Sequence, residues 1–386
     1  MRPQDVGSVT GMSNNTGLVQ KEYTVFPFGP QHPVLPEPLQ LRFTLDEEKI
    51  IDVVPQLGYV HRGIERAAEL NDYKRNIILC ERVCGICNYI HGMTYCMAIE
   101  KLTDTEVPIR AKYLRVIWTE MGRLQSHLLW LGLFAEAMGF ESLFMQIWRD
   151  REIILTLNEK TNGHRIHLST NAIGGARKDI DDSLAKEYRK DLEAVRIKMS
   201  ILEPVFYKDK SFRQLTEGKG ILPKSQANFL GAVGPTIRGS GIPQDMRALD
   251  PTYKALDFKP IVYESGDSYA RTLVRFDEVF QSIKLINRAL DQIPQGPILE
   301  KNDKFPDGSA IARSEQPRGE LFYYVEGNGT NKLNRVKIRT PTGANIPSLI
   351  SMLMGHNLPD IPVIVHSIDP CISCTERYVQ LKKEAI

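Results

Sequence analysis

The sequence predicts a mainly α fold with small β elements (α+β), one compact helical core with the sheet elements packed at its ends. Three observations predict it. Apolar residues recur at helical steps over long stretches, two short regions alternate like strands, and no internal repeat or low-complexity stretch divides the chain.

The longest helix is expected from Val107 to Met138, where Leu114, Ile117, Trp118, Met121, Leu124, Leu128 and Leu131 fall three or four residues apart. It belongs to a helical region running from about His61 to residue 163, interrupted at Thr103 to Pro108. Further helices are expected at Glu141–Leu157, Asp179–Leu202 and Ser268–Ile293. Between residues 23 and 53, LQLRFTL and IIDVV flank a turn at Asp46-Glu47-Glu48, an antiparallel hairpin pattern. The runs LFYYVEG and NRVKIR, from Leu321 to Ile338, repeat that pattern about Asn328-Gly329. Gly and Pro crowd residues 218–260, which read as loops with short elements. These pieces compose an N-terminal extension (1–22) and one domain (23–386). Within it, residues 23–60 and 318–345 are β-rich, 61–300 form the helical core, and 366–377 carry a metal motif.

Composition excludes several classes of function. Forty-nine basic and 47 acidic residues leave a net charge of +2, interspersed, with no basic stripe or aromatic interleaving for nucleic acid. The most apolar stretch, His127 to Phe140, is too short to span a bilayer and contains Glu136. The N-terminus lacks the layout of a secretory signal, and Met12 is a candidate start.

Six cysteines are too few for a disulfide scaffold. Cys84/Cys87 and Cys371/Cys374 form two Cys-x-x-Cys pairs near opposite ends of the chain, each able to grip a soft metal. A closed four-sulfur zinc site is one reading, although such sites usually keep their pairs closer in sequence, and Cys84/Cys87 reads as helical. The Cys80/Cys84/Cys87 spacing also suits a radical-type 4Fe–4S cluster, but the strand–helix alternation of the expected barrel is missing. Cys80 and Cys96 read as small buried residues.

The neighbours of the pairs favour a third reading. Arg82-Val83-Cys84-Gly85-Ile86-Cys87 with His91 resembles the N-terminal metal motif of nickel–iron hydrogenase large subunits, and Ser367-Ile368-Asp369-Pro370-Cys371-Ile372-Ser373-Cys374 resembles their C-terminal motif. Gly29-Pro30-Gln31-His32-Pro33, His61-Arg62-Gly63-Ile64-Glu65, residues 234–241 (GPTIRGSG) and 266–271 (GDSYAR) are similar to segments of the related complex I subunit. Together they identify the chain as resembling the catalytic subunit of complex I-related, energy-converting, membrane-bound nickel–iron hydrogenases, and imply the central long-helix bundle of those proteins.

The resemblance implies a nickel–iron centre whose iron carries carbon monoxide and cyanide. Cys84 and Cys371 would be terminal nickel ligands, and Cys87 and Cys374 would bridge the metals. Cys371 would act as base, with Glu37, in Pro36-Glu37-Pro38, relaying the proton. Arg318 would overhang the metals, paired by Asp369. Pro341 and Thr342 would contact cyanide, and His91 would orient a cysteine sulfur. Glu65 is expected to pair with Arg377, with a magnesium ion near that C-terminal segment. The implied partners are a small subunit carrying 4Fe–4S clusters, complex I-like hydrophilic subunits, ion-translocating membrane subunits and ferredoxin. The implied location is peripheral, at the cytoplasmic face of the cell membrane. The alternatives are a sulfur-, polysulfide- or quinone-reducing relative and a structural zinc-binding subunit.

Overall fold

A computed structural model describes residues 23–376. The chain opens with strands β1 (Thr24–Phe28), β2 (Gln40–Asp46) and β3 (Lys49–Gln56), which form an antiparallel sheet in that order. Leu41, Phe43 and Leu45 of β2 face inward, as their alternation demands. Helices α1 (Ile64–Leu70), α2 (Asn76–Glu81), α3 (Asn88–Leu102), α4 (Ile109–Ala137) and α5 (Glu141–Asn162) follow. After them come a two-stranded ribbon, β4 (Asn171–Ala172) and β5 (Gly175–Ala176), and helix α6 (Asp182–Lys208). Short helices α7 (Lys210–Thr216), α8 (Lys224–Phe229), α9 (Pro235–Arg238) and α10 (Pro251–Ala255) lead to α11 (Ser268–Gln292). A second antiparallel sheet, β6 (Asp307–Gln316), β7 (Gly319–Asn328) and β8 (Leu333–Arg339), precedes α12 (Pro341–Leu353), α13 (Ile361–Ser367) and α14 (Ile372–Thr375).

Helix α4 is the axis of the molecule. All seven residues of its apolar repeat are buried, and so are Glu120, Arg123, Gln125 and His127, so no face of its middle turns meets water. It packs between α5 and α11. Close approach to α5 depends on Gly132, where a Cβ would lie 2.4 Å from the Trp148 ring. A smaller apolar core joins the first sheet to α12 and α13 through Phe43, Ile50, Leu349 and Ile364. No helix among the described residues is long and apolar enough to cross a membrane.

Three local readings of the sequence need correction. Cys84 and Cys87 are not in a helix; they lie in the turn between α2 and α3, and Cys87 is the residue on which α3 starts. The β-rich region begins earlier than 318, because β6 covers 307–316. Its sequence, DGSAIARSEQ, is polar and mostly exposed over the first half, which hides the alternation. The same region ends earlier than 345: Pro341 stands in the first turn of α12, where a missing N–H costs nothing. The expected extension 1–22 and the Glu65–Arg377 pair lie outside the described residues. Glu65 itself accepts a hydrogen bond from the Ile338 backbone N–H and pairs with Lys337 at 3.2 Å.

Candidate metal centre

The two cysteine pairs converge. Cys84 Sγ lies 3.5 Å from Cys371 Sγ, and Cys87 Sγ lies 3.6 Å from Cys374 Sγ. All four are buried. Two sulfurs held by one metal at about 2.3 Å in tetrahedral geometry sit about 3.8 Å apart, so these spacings suit sulfurs sharing a cation. Ligand atoms of Cys84, Cys371 and Cys374 form one group within 4.8 Å, and those of Cys87, His91 and Cys374 form another. Cys374 belongs to both.

Each side of the centre is held by local structure. Backbone N–H groups of Ile86 and Cys87 donate to Cys84 Sγ, both at 3.3 Å, as the turn before α3 closes around it. On the other side, Cys371 N–H donates to Thr342 Oγ1 at 3.2 Å, and the Thr340 hydroxyl donates to the Cys374 carbonyl at 2.9 Å. The N-terminal end of α12, with Pro341 buried beside Thr342, thus backs the second pair.

Thiols this close cannot all ionise in a dry site. Hydrogen bonds from Cys371, Cys374 and Cys87 hold Cys84 well below the usual thiol range. Burial pushes Cys87 and Cys374 well above it, and the hydrogen bond to Cys374 does the same to Cys371. A soft cation would relieve this repulsion by taking the thiolates as ligands. The donor set therefore fits a thiolate-bound metal.

The remaining candidates lie around this core. His91 is fully buried on α3, with Nε2 3.6 Å from Cys374 Sγ and Nδ1 2.8 Å from the Tyr323 hydroxyl. Arg318 occupies the tight turn between β6 and β7. Its Nε donates to the Asp369 carbonyl and its Nη2 pairs with Asp369 Oδ1, both at 2.8 Å. Asp369 itself adopts φ 56° immediately before Pro370, a strained conformation that aims its carboxylate at the arginine. Burial pushes its carboxyl up, opposed by Arg318 and Arg275. Arg318 Nη1 and Asp369 Oδ2 have no protein partner, so the pair keeps hydrogen-bonding capacity. Gly234 makes the turn possible: a Cβ there would meet the Arg318 carbonyl oxygen at 2.2 Å. Glu37 reaches the same region from the loop between β1 and β2. Its carboxylate accepts the backbone N–H groups of Ile372 and Ser373 and the Ser373 hydroxyl.

Sequence reasoning missed Tyr323 and Thr340. Tyr323 was legible as an inward position of the β7 alternation, and Thr340 as the residue before a helix-starting proline. The geometry brings Cys84, Cys87, Cys371, Cys374, His91, Arg318, Asp369, Thr342, Pro341 and Glu37 into one region.

The model of the respiratory-chain NADH dehydrogenase 49-kDa subunit matches residues 137–306 and 298–377, and the nickel-dependent hydrogenase model matches 62–135. A carbon monoxide-induced hydrogenase of Rhodospirillum rubrum is 41% identical over 360 residues, covering 92% of this chain and 99% of that protein. The membrane-bound hydrogenase subunit alpha of Pyrococcus furiosus is 38% identical over 94% of this chain and 90% of its own length. Among solved structures, a chain of the membrane-bound sulfane sulfur reductase, an archaeal respiratory membrane complex, superposes with a TM-score of 0.88 at 30% identity. That match covers 93% of this chain and 100% of the other. The chain therefore belongs to the family that unites the 49-kDa subunit of respiratory-chain NADH dehydrogenase with the large, catalytic subunits of complex I-related, membrane-bound nickel–iron hydrogenases.

Proposed function

We propose that the chain is the catalytic subunit of an energy-converting hydrogenase, interconverting two protons and two electrons with dihydrogen at a nickel–iron centre. The observation that carries this reading is the convergence of Cys84/Cys87 with Cys371/Cys374 from opposite ends of the chain, into one buried donor set. When bound, a nickel–iron pair with carbon monoxide and cyanide on the iron would supply the point at which dihydrogen is split or formed.

The protein's own groups then have distinct tasks. Cys84, Cys87, Cys371 and Cys374 would hold the metals through their thiolates. Arg318, fixed by Asp369, presents a permanent positive charge in a dry pocket, where it can orient substrate and hydrogen-bond cyanide. Pro341 and Thr342 would complete that contact. His91, steadied by Tyr323, sets the orientation of the Cys374 sulfur. Cys371 would take the proton and Glu37 would relay it, since Glu37 already touches the backbone directly after Cys371.

Cys80 and Cys96 are buried within α2 and α3, away from any surface for an electron carrier. Electrons must then arrive through a 4Fe–4S-bearing partner, with reduced ferredoxin as the donor. The complex I kinship supports a peripheral position on the cytoplasmic face of the membrane, held by complex I-like hydrophilic subunits and ion-translocating membrane subunits. A magnesium ion near the C-terminal segment remains part of this proposal.

The test is metal analysis together with an infrared spectrum of the anaerobically purified complex. Nickel and iron with carbon monoxide and cyanide bands are the expected result. Zinc without those bands would replace the reading with a structural zinc site. The likeness to a sulfane sulfur reductase supports a second reading, reduction of sulfur compounds. Turnover with polysulfide but not with hydrogen would establish it.

A further inference from the structure

Beyond the Arg318 turn lies a second group of buried charges to which the hydrogenase reading gives no task. Four carboxylates (Glu120, Asp245, Glu278, Glu315) meet three guanidiniums (Arg123, Arg238, Arg247), and none of the seven is more than 3% exposed. His127 adds no charge near neutral pH, because burial holds it down at about 4. A fourth buried guanidinium, Arg275, interacts with Glu278 and Arg238, so the carboxylates share four cations in a water-poor interior and differ in how closely each is held.

The pairing singles out the carboxyl least held by cations. Glu278 meets Arg123, Arg238 and Arg247. Glu120 meets Arg123 and Arg247, and Asp245 meets Arg238 and Arg247. Glu315 has a single guanidinium, Arg238 at 2.8 Å, and a backbone donor, Met246 N–H at 3.1 Å. Glu315 is also the one carboxylate of the four that lines a cavity of about 1070 Å³. Leu249 and Ile311, both well exposed, edge that cavity, so solvent reaches it.

The next residue of the strand, Gln316, faces the side opposite Glu315. Gln316 is fully buried, and neither its amide oxygen nor its nitrogen has a protein partner. Arg275 Nε and Nη2, Arg318 Nη1 and Asp369 Oδ2 are likewise without one. Arg123 donates to the backbone carbonyls of Glu315 and Gln316, tying this strand end to the charge cluster. Buried polar atoms of this kind are ordinarily met by internal water.

We propose that Glu315 is a proton-exchange site, and that with Gln316 it forms a second proton route between the cavity and the Arg318 side of the cysteine centre. The route is separate from the one through Glu37, and it rests on the hydrogenase reading. In each step the Glu315 carboxyl passes a proton to water beside Gln316 and takes another from the cavity; no electron moves. Burial and the nearby Asp245 charge push the Glu315 carboxyl up to about 7, which suits exchange at neutral pH. The charges around it come from α4 (Glu120, Arg123), α9 (Arg238), the 245–247 segment (Asp245, Arg247) and α11 (Arg275, Glu278). Glu100 and Lys101 of α3, Arg115 of α4 and Arg313 of β6 face the same cavity, and Glu320 stands opposite Glu315 in the sheet register.

The test uses the complete, anaerobically purified complex. Hydrogen–deuterium isotope exchange against pH and a pH-difference infrared spectrum of carboxyl groups are recorded for wild type, Glu315→Gln, Glu315→Asp and Gln316→Leu. Glu315→Gln should remove one carboxyl band that titrates around neutrality. It should also slow isotope exchange at least about tenfold, with metal content unchanged. Glu315→Asp should restore the band and part of the rate, and Gln316→Leu should slow exchange while keeping the band. Wild-type exchange in both Glu315→Gln and Gln316→Leu would overturn the route, and persistence of the band in Glu315→Gln would overturn the exchange site. If wild type itself neither exchanges nor shows diatomic-ligand bands, the hydrogenase reading fails and the route with it. The carboxyl band then decides Glu315: its loss in Glu315→Gln supports the exchange site, and its retention overturns that site.

Discussion

Cys87 and Cys374 are 287 positions apart in the chain, yet their sulfurs lie 3.6 Å apart in the core. The approach depends on two backbone stops. The turn before α3 ends on Cys87, and the Thr340 hydroxyl anchors the Cys374 carbonyl.

Replacing Cys374 by serine removes the sulfur common to both ligand groups. Hydrogen turnover and nickel content should both fall to background. The helical circular dichroism should remain, because the exchange changes little volume. Normal turnover would refute Cys374 as a ligand of the centre.

Glu37→Gln keeps an acceptor for the Ile372 and Ser373 N–H groups but cannot relay a proton as a carboxylate does. Proton–deuterium exchange should drop by about 100-fold, a typical share for a positioned acid–base group, while metal loading stays near normal. An unchanged exchange rate removes Glu37 from the relay.

Asp369→Asn leaves the buried Arg318 charge without its carboxylate. Breaking a buried pair from one side costs about 3–5 kcal/mol. Chemical denaturation should show a loss of that order, and metal content should fall as the arginine turn relaxes.

Gly234 has φ 68° and ψ −146°, and its Cα faces the Arg318 carbonyl. Gly234→Ala adds both backbone strain and a Cβ at 2.2 Å from that oxygen. Destabilisation should exceed about 1–3 kcal/mol, the usual strain at such positions alone. A melting temperature within error of wild type would count against this packing.

His127 lies 2.7 Å from Glu278 of the charge cluster, and burial brings its folded-state value to about 4, below the ordinary 6.5. The unfolded chain therefore binds a proton first as pH falls. The stability associated with a neutral His127 is complete above about 6.5 and is lost between there and about 4, by at most about 3 kcal/mol. His127→Gln should flatten the melting curve over that window. An identical pH dependence in both proteins would show that other groups govern it.

Much of this protein was determined by the sequence alone. The repeat in α4, the alternation in β2 and β7, and the two cysteine motifs are local patterns, and each was readable because periodicity reports the face a residue will bury. Which groups meet was decided by the tertiary structure. No local pattern pairs His91 with Tyr323, sets Glu37 against Ile372, or gathers seven charges behind the arginine turn. Those contacts join residues far apart in the chain, and their strength comes from removal from water, which only packing of the whole fold creates. The β6 strand was missed for the same reason: its polar residues become a strand because β7 lies beside them.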